Sequence, residues 1–323
     1  RRCRPRSRSP DLQPWGHADK HGWRLLMNDR LRRALVADGG PLSGAVIQRL
    51  SGVSGGCIHQ SWRLWLEDGR SFFAKAGDTS VEAMLAAEAE GLTSLRQWAD
   101  PALLVVPEPL MPVQRLGSDV VLLLPWLDLS AGDQRQLGKG LALLHQASAA
   151  DHPGRFGWSS DGFIGAGPQP GGWSSSWGEA FVELRLRPQI RLAAGWGLQA
   201  EELEPLLQSL GSRLDLHQPL PALIHGDLWG GNAAVLPDSR GVLIDPAVWW
   251  ADREVDLAMT RMFGGFSRSF YEAYEQVEPL PATAESRVEI YNLYHLINHA
   301  NLFGGSYQNQ TIQSLKYLSS QIL

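Results

Sequence analysis

The stretch HGDLWGGNAAVLPDSRGVLIDPA, residues 225–247, most constrains what this chain can fold into. The apolar runs ALI and VLI predict two short strands, joined by a loop whose Gly-Gly pair lets the backbone bend. Asp227 follows the first strand, Asn232 lies at the end of the loop, and Asp245 follows the second strand. A lone aspartate could cap a turn, but this combination predicts one base and two oxygen ligands for a hard cation such as Mg²⁺.

The segment before residue 130 predicts a small antiparallel sheet with one embedded helix. AVIQRL, IHQSWRLWL and SFFAKA have the composition of strands, and Asp68–Gly69 predicts a hairpin turn between the last two. VEAMLAAEAEGLTSLRQWA follows with helical spacing of its apolar residues. PALLVVPEPLMPV and DVVLLLPWLDL predict two further strands.

After residue 130 the pattern becomes mostly helical. GDQRQLGKGLALLHQAS, EELEPLLQSLGSRL and the segments from REVDLAMTRMF to the end predict helices, and WSSSWGEAFVELRLRPQIRLAAGWG predicts a single long one. The sequence therefore predicts an α+β fold of two lobes that meet at a cleft, not a parallel α/β sheet. We place the β-rich amino lobe at residues 27–127 and the helical carboxyl lobe at 128–323.

Composition narrows the class of protein. The chain has 323 residues and a formal net charge of −5, which does not favour binding to nucleic acid. Its two cysteines, Cys3 and Cys57, predict no disulfide framework and indicate a reducing compartment. No apolar run is long enough to span a bilayer, so we expect a cytoplasmic protein, monomeric or homodimeric.

Residues 1–26 differ from the rest. RRCRPRSRSP has five arginines in its first eight residues and almost nothing to bury, which predicts a disordered basic extension upstream of Met27. A transit peptide is an alternative, because the segment is rich in Arg and Ser and poor in acid. A basic arm that binds nucleic acid is a third possibility.

The segment SGVSGGCIHQ contains a G-x-S-x-G pattern, but a strand follows where a serine hydrolase needs a helix. We therefore interpret Gly55, Gly56 and Cys57 as a glycine-rich loop whose backbone amides approach a phosphate, although such loops are often simple turns. Cys57 is either a small buried residue or an oxidisable thiol in this loop.

Lys75 lies in the apolar strand SFFAKA, where an unpaired ammonium would be costly to bury. Glu88 lies in the middle of the following helix, among alanines that allow close packing. A Lys75–Glu88 pair that faces a polyphosphate explains both residues; a solvated edge lysine is the alternative.

These features together resemble the kinase-like phosphotransferase fold of protein kinases, aminoglycoside phosphotransferases and choline kinases. HGDLWGGN, DPAVWWADREVDLAM, FGGF and LYHLINHANLFG resemble, more narrowly, the fructosamine kinase family of ketosamine or ribulosamine 3-kinases. The likeness runs from about Asn28 to the end of the chain. It departs from the family pattern at His59 and at WWAD, residues 249–252, which bears on substrate fit.

The resemblance implies ATP-dependent phosphorylation of the sugar 3-hydroxyl of a ketoamine, free or bound to protein, which repairs glycation. It also implies roles for residues: Asp227 as base, Asn232 and Asp245 on Mg²⁺, Lys75 held by Glu88 on the α- and β-phosphates, and the backbone around Leu124, Trp126 and Leu127 on adenine. It places on the substrate side Trp229, Trp249, the cluster Arg253–Glu254–Asp256 and the phrase GFIGAGPQP, residues 162–170.

Three alternatives stay open at this stage. The acceptor could be another hydroxylated amine such as an aminoglycoside or choline, and an acidic acceptor pocket would favour the aminoglycoside. The chain could also be a non-catalytic nucleotide-binding module. His295 and His299 have a spacing compatible with zinc, but an apolar helix without a third ligand nearby favours a core or cleft role.

Overall fold

The computed structural model describes Met27 and residues 29–53 and 60–323. The predicted extension over residues 1–26 and the predicted phosphate loop with Gly55, Gly56 and Cys57 lie outside the described residues, as does His59.

Short strands and longer helices alternate along this part of the chain. The strands are β1 (Ile47–Gly52), β2 (Gln60–Leu66), β3 (Ser71–Asp78), β4 (Leu104–Val105), β5 (Gln114–Leu116), β6 (Asp119–Pro125), β7 (Phe156–Trp158), β8 (Gly162–Ile164), β9 (Gly167–Gln169), β10 (Gly172–Ser174), β11 (Ala222–Ile224), β12 (Ala233–Val235), β13 (Gly241–Leu243) and β14 (Trp249–Ala251). The helices are α1 (Asp29–Val36), α2 (Glu82–Arg96), α3 (Arg135–Ala150), α4 (Trp177–Phe181), α5 (Arg187–Ala193), α6 (Glu204–Asp215), α7 (Glu254–Met262), α8 (Arg268–Val277), α9 (Glu285–Phe303) and α10 (Ser306–Ile322).

The amino-terminal part is an antiparallel sheet with the order β1-β2-β3-β6-β5. The predicted hairpin turn is present between β2 and β3: Gly69 has φ +87°, and the carboxylate of Asp68 accepts the N–H of Arg70 at 3.0 Å. Leu31 and Leu35 of α1 belong to the core on one face of this sheet. Helix α2 packs against the other face, so the sheet is covered on both sides.

The spacing of the apolar residues along helix α2 determines where the side chain of Glu88 lies. Leu85, Leu92 and Leu95 are fully buried against β6 and α3. Residues at this spacing share one face of a helix, and Glu88 occupies the turn between Leu85 and Leu92. The helix therefore holds Glu88 in the layer beneath the sheet, close to β3.

The rest of the described chain is mostly helical around an aromatic core. Trp177, Phe181 and Trp249 stack with ring centroids 5.5–6.5 Å apart, and Tyr291 of α9 closes the cluster. Helices α3 and α6–α10 lie where the sequence predicts them. None of the helices within the described ranges has the length and apolarity to cross a membrane.

One prediction of secondary structure is wrong. Residues 101–113 do not add a strand to the first sheet; the strand within them, Leu104–Val105, pairs in parallel with β13. Three prolines at 107, 109 and 112 lack the N–H groups that a ladder needs.

The helix predicted over 173–197 is present but starts later and is irregular. The segment begins in strand β10, and the hydroxyl of Ser176 then caps α4 by accepting the N–H of Glu179. Helical turns continue from Trp177 to Trp196, with a π-helical turn, Val182–Leu186, between α4 and α5. Pro188 has no N–H for the carbonyl of Leu184, and that carbonyl accepts from Nη1 of Arg185 at 2.9 Å.

Candidate active site

The hairpin β12–β13 brings the predicted oxygen-bearing side chains together. Asp227 follows β11, Asn232 precedes β12, and Asp245 follows β13. The amide nitrogen of Asn232 donates to the carbonyl of Asp227 (2.9 Å), to its carboxylate (3.1 Å), and to the carbonyl of Asp245 (3.4 Å). These bonds fix the side chain of Asn232 between the two aspartates.

The loop that carries Asp227 is held from below by α7. The buried carboxylate of Asp256 accepts the N–H groups of His225 and Gly226, both at 2.8 Å. Gly226 has φ +80°, and a Cβ there would lie 2.0 Å from the carbonyl oxygen of Ala247. Only glycine therefore fits this turn, and the backbone before Asp227 has little freedom to move.

His225 supports this loop as a structural residue. Its Nε2–H donates to the carbonyl of Ile244 at 2.8 Å, while its Nδ1 accepts the N–H of Asp227 at 3.3 Å. Burial lowers the pKa of His225, which keeps the imidazole neutral. The ring links the two ends of the hairpin, close to Asp227 and Asp245.

Asp227 has the electrostatics of a base that works near neutral pH. Burial raises its pKa to about 7, and the negative charge of Asp245 adds to the rise, whereas the hydrogen bond from Asn232 opposes it. A carboxylate with such a pKa is ionised in part at neutral pH and can accept a proton from a hydroxyl.

Lys75 of β3 forms a buried triad with two acids. Its Nζ lies 2.8 Å from Oε1 of Glu88 and 2.5 Å from Oδ1 of Asp245. Burial alone would lower the pKa of Lys75, but the two carboxylates hold it above its ordinary value. Asp245 lies in the left-handed region (φ +53°), an unusual conformation that aims its carboxylate at the lysine.

The residues fit a bound Mg²⁺. Asn232 uses its amide nitrogen for the three bonds described above, which leaves its amide oxygen to face a cation. Asp245 supplies a carboxylate from the other end of the hairpin. Oxygen donors of this kind are those that Mg²⁺ takes in phosphotransfer sites, together with phosphate oxygens and water.

A cavity of about 430 Å³ opens beside these groups. Lys75, Glu88, Asp227 and Asp245 line it, together with residues of the hairpin β8–β9. Trp229 lies at its mouth with 41% of the residue exposed. The ring of Trp229 contacts Phe263 at 6.5 Å, edge to face.

Three residues predicted on the substrate side lie elsewhere. Of the described residues, those that line the cavity do not include Trp249, Arg253 or Glu254. Trp249 is fully buried in the aromatic core. Glu254 pairs with Arg287 of α9, at 2.7 and 2.8 Å, so it belongs to an ion pair of the helical core.

Arg253 takes part in a relay of hydrogen bonds under the active-site loop. Its Nη1 donates to the hydroxyl of Tyr274, which donates to Nδ1 of His145, whose Nε2–H donates to Asp256. The cluster Arg253–Glu254–Asp256 at the start of α7 thus faces the core, not the sugar side as predicted. No local sequence pattern points to His145, which lies 111 residues from Asp256.

The residues predicted to contact adenine lie at the end of β6. Leu124 is buried in the core. The N–H of Trp126 donates to the carbonyl of Ser71 at 3.0 Å, so this amide is already used by the sheet. Leu124, Trp126 and Leu127 are not among the described residues that line the cavity, so an adenine contact from this segment stays a prediction.

The two histidines of α9 do not form a metal pair. His295 is fully buried, and burial lowers its pKa to about 3. His299 lines the cavity, and its Nδ1–H donates to the carbonyl of His295 at 2.8 Å. One histidine is a core residue and the other lines the cleft.

A second cluster was not predicted. In the described part of the chain, His217, Asp252 and Glu254 have ligand atoms within 4.8 Å of one another. Their carboxylates already accept hydrogen bonds from Tyr291 and Arg287. The cluster is therefore an ionic network that ties the segment after α6 to α7 and α9.

The fold and this set of side chains define a class of protein, the kinase-like phosphotransferases. A thermostable mutant of the aminoglycoside phosphotransferase APH(4)-Ia has the same fold, with a TM-score of 0.56 over 92% of this chain and 97% of that one, at 14% identity. The crystal structure of a Haemophilus somnus 129PT protein named after fructosamine-3-kinase is more similar, with a TM-score of 0.77 over 89% and 95%, at 26% identity.

The chain belongs to the fructosamine kinase family, whose model matches residues 39–321. The "Probable ketoamine kinase slr1563" of a Synechocystis strain is 41% identical, over 84% of this chain and 90% of that protein. The chloroplastic protein-ribulosamine 3-kinase of Arabidopsis thaliana is 32% identical, over 89% and 86%. The predicted family and the bilobal α+β fold are confirmed.

Proposed function

We propose that this chain is an ATP-dependent kinase that phosphorylates the 3-hydroxyl of ketoamines of the ribulosamine or fructosamine type. One observation carries the proposal: Asp227, Asn232, Asp245 and the Lys75–Glu88 pair all border a single cavity. The names of the curated relatives, ketoamine kinase and protein-ribulosamine 3-kinase, favour this acceptor over an aminoglycoside or choline.

Asp227 acts as the base. Its pKa of about 7 suits the removal of the proton from the attacking hydroxyl, and the loop fixed by Asp256 keeps the carboxylate in place for an in-line approach. The proton passes from the hydroxyl oxygen to the carboxylate while the oxygen attacks the terminal phosphorus of ATP; the bond from that phosphorus to the bridging oxygen breaks, and ADP leaves with the electron pair.

Lys75 holds the nucleotide. Glu88 fixes its ammonium from the α2 side, so the ammonium is positioned to contact the α- and β-phosphates from beneath the sheet. Asn232 and Asp245 would hold Mg²⁺, which neutralises the negative charge of the phosphates when it is bound.

The natural acceptor is a ketoamine that is free or carried by a protein lysine. Trp229 at the cavity mouth is the substrate-side residue that the geometry supports, because its exposed ring borders the opening. A cytoplasmic location and a monomeric or homodimeric state stay predictions.

The test is phosphate transfer from ATP to a panel of acceptors: ribulose-, erythrulose- and fructose-lysine, an aminoglycoside, and choline. We expect phosphate transfer to the three ketoamines, which should be preferred as acceptors over the aminoglycoside and choline. The variant Asp227→Asn is the matched control, and it should lose turnover by 10²-fold or more while ATP binding persists. Transfer only to the aminoglycoside or choline, or near-normal turnover by the variant, would refute the proposal.

A further inference from the structure

Arg185 lies in the wall of the cavity and has unusual surroundings. Its side chain is fully buried on the π-helical turn between α4 and α5. Nη1 donates to the carbonyls of Pro170 and Leu184, at 3.0 and 2.9 Å. Nε and Nη2 have no acceptor among the described residues.

No carboxylate balances this guanidinium in the described part of the chain, where the salt bridges do not include Arg185. The indole of Trp249 lies beneath it, 3.9 Å from the ring centroid, and offsets part of the desolvation. Burial lowers the pKa of Arg185 to about 10, so the side chain stays charged at neutral pH. Solvent screens a buried cation less than a surface charge, and no counter-charge cancels this one, so its field extends into the adjoining cavity.

Arg185 lies behind the hairpin β8–β9. Nη1 holds Pro170, the residue after β9, and Gln169 of β9 is bonded to both the hydroxyl of Tyr294 and the carbonyl of Ala247. Arg185 and Asp227 both line the cavity. The guanidinium therefore lies in the wall of the cavity that holds the base, behind a hairpin fixed by buried bonds.

The other charged side chains that line the cavity have surroundings that differ from those of Arg185. Lys75 is balanced by Glu88 and Asp245 on the nucleotide side. Glu90 and Asp161 also border the cavity, but both are exposed, so water and salt screen them. Asp227 also borders the cavity, and with a pKa of about 7 it is ionised only in part at neutral pH. The permanent buried charge of Arg185 should therefore outweigh this partial charge in the selection of an acceptor.

We propose that Arg185 is a charge-selecting residue of the acceptor site, which favours acceptors with a neutral, oxygen-rich or anionic part and disfavours polycations. The guanidinium has no exposed surface, so it acts through its field and through the wall it supports, not as a contact residue. The inference rests on the proposed ketoamine kinase activity, and it explains how a fold shared with aminoglycoside phosphotransferases can reject their polycationic substrates.

The test uses two ribulose adducts that differ in the charged group at the end of the amine part. The adduct of β-alanine ends in a carboxylate, and the adduct of ethylenediamine ends in an ammonium group. We expect the wild type to prefer the carboxylate adduct in kcat/KM. Arg185→Gln should lower that preference by about tenfold, through the acceptor KM and with the KM for ATP unchanged. Arg185→Lys, which keeps the charge but not the planar fork, should retain most of it.

Arg187→Gln is the matched control, because Arg187 lies on the same segment but pairs with Glu183 and Glu204 at the surface, so it should keep the wild-type ratio. A purely structural role would weaken both adducts equally and leave their ratio unchanged in Arg185→Gln, which would overturn the inference alone. Should Arg185→Gln fail to fold, a wild type without preference for the carboxylate adduct would overturn it as well. Transfer to an aminoglycoside with none to either adduct would overturn both this inference and the proposed function.

Discussion

Asp256 offers a direct test of how the active-site loop is held. Its carboxylate accepts two backbone N–H groups at 2.8 Å and the imidazole of His145 at 3.2 Å, in a fully buried position. Asp256→Asn keeps the shape but replaces one acceptor oxygen by an NH₂ group, which faces an N–H donor. The variant therefore loses one charge-assisted hydrogen bond and leaves a buried donor without an acceptor.

The magnitude follows from these contacts. A hydrogen bond to a charged group contributes about 1.5–3 kcal/mol, and the orphaned donor adds a similar cost, so we expect a loss of roughly 3–6 kcal/mol of unfolding free energy. At about 2 °C per kcal/mol for a domain of this size, the Tm should fall by roughly 6–12 °C. Because the bonded amides directly precede Asp227, a shift of the loop by about 1 Å should lower kcat by roughly 10²-fold.

The assay compares kcat, the KM for ATP and the Tm with those of Asp252→Asn. Asp252 is buried equally and accepts from the hydroxyl of Tyr291 at 2.6 Å, but it does not touch the active-site loop. We expect the control to lose stability and to keep kcat within about threefold. Turnover of Asp256→Asn within threefold of the wild type, or an equal loss of kcat in both variants, would refute this account of the loop.

Three further predictions concern other contacts. Glu88→Gln should raise the KM for ATP by about tenfold, because Lys75 then has only Asp245 as a charged partner. Steady-state kinetics will check it, with Glu90→Gln, a change at an exposed neighbour, as the control. The hydrogen bonds of His217 to Asp252 and Glu254 raise its pKa to about 9, so the stability that its charge contributes is complete below the ordinary pKa and is lost as pH rises through 9. Urea unfolding at pH 6.5 and 9.5 should therefore show a decline in the free energy of unfolding that is absent in His217→Gln. An equal decline in the variant would contradict this assignment. Trp229→Ala should raise the acceptor KM several-fold at an unchanged Tm, since the ring is exposed, and an equal rise in the KM for ATP would count against a place on the acceptor side.

The parts of the site that the sequence predicts are those built by short-range structure. A hairpin brings Asp227, Asn232 and Asp245 together within one strand–loop–strand unit, and hairpin pairing follows from turn residues and apolar runs. Lys75 and Glu88 are only 13 residues apart, on a strand and the helix that follows it. Local rules are sufficient for such contacts.

Local rules do not predict whether the side chains of the cluster Arg253–Glu254–Asp256 face the cleft or the core. A helix start has one face toward the cleft and another toward the core, and the choice depends on a distant partner. Here Arg287, 33 residues later on α9, draws Glu254 inward, and Tyr274 does the same for Arg253. Sequence separation of this order removes the local signal, so a functional cluster and a structural ion pair have the same pattern.

Pro188 links a local feature of the sequence to a contact between distant residues. Its missing N–H removes one hydrogen bond from the helix that the sequence predicts over 173–197, and the preceding turn is widened at Val182–Leu186. Arg185 on this widened turn donates to the carbonyls of Leu184 and Pro170, at the back of the β8–β9 hairpin. In a regular helix the carbonyl of Leu184 would accept a backbone N–H instead. The proline therefore accounts both for the irregular turn and for the carbonyl that holds the uncompensated charge beside the acceptor site.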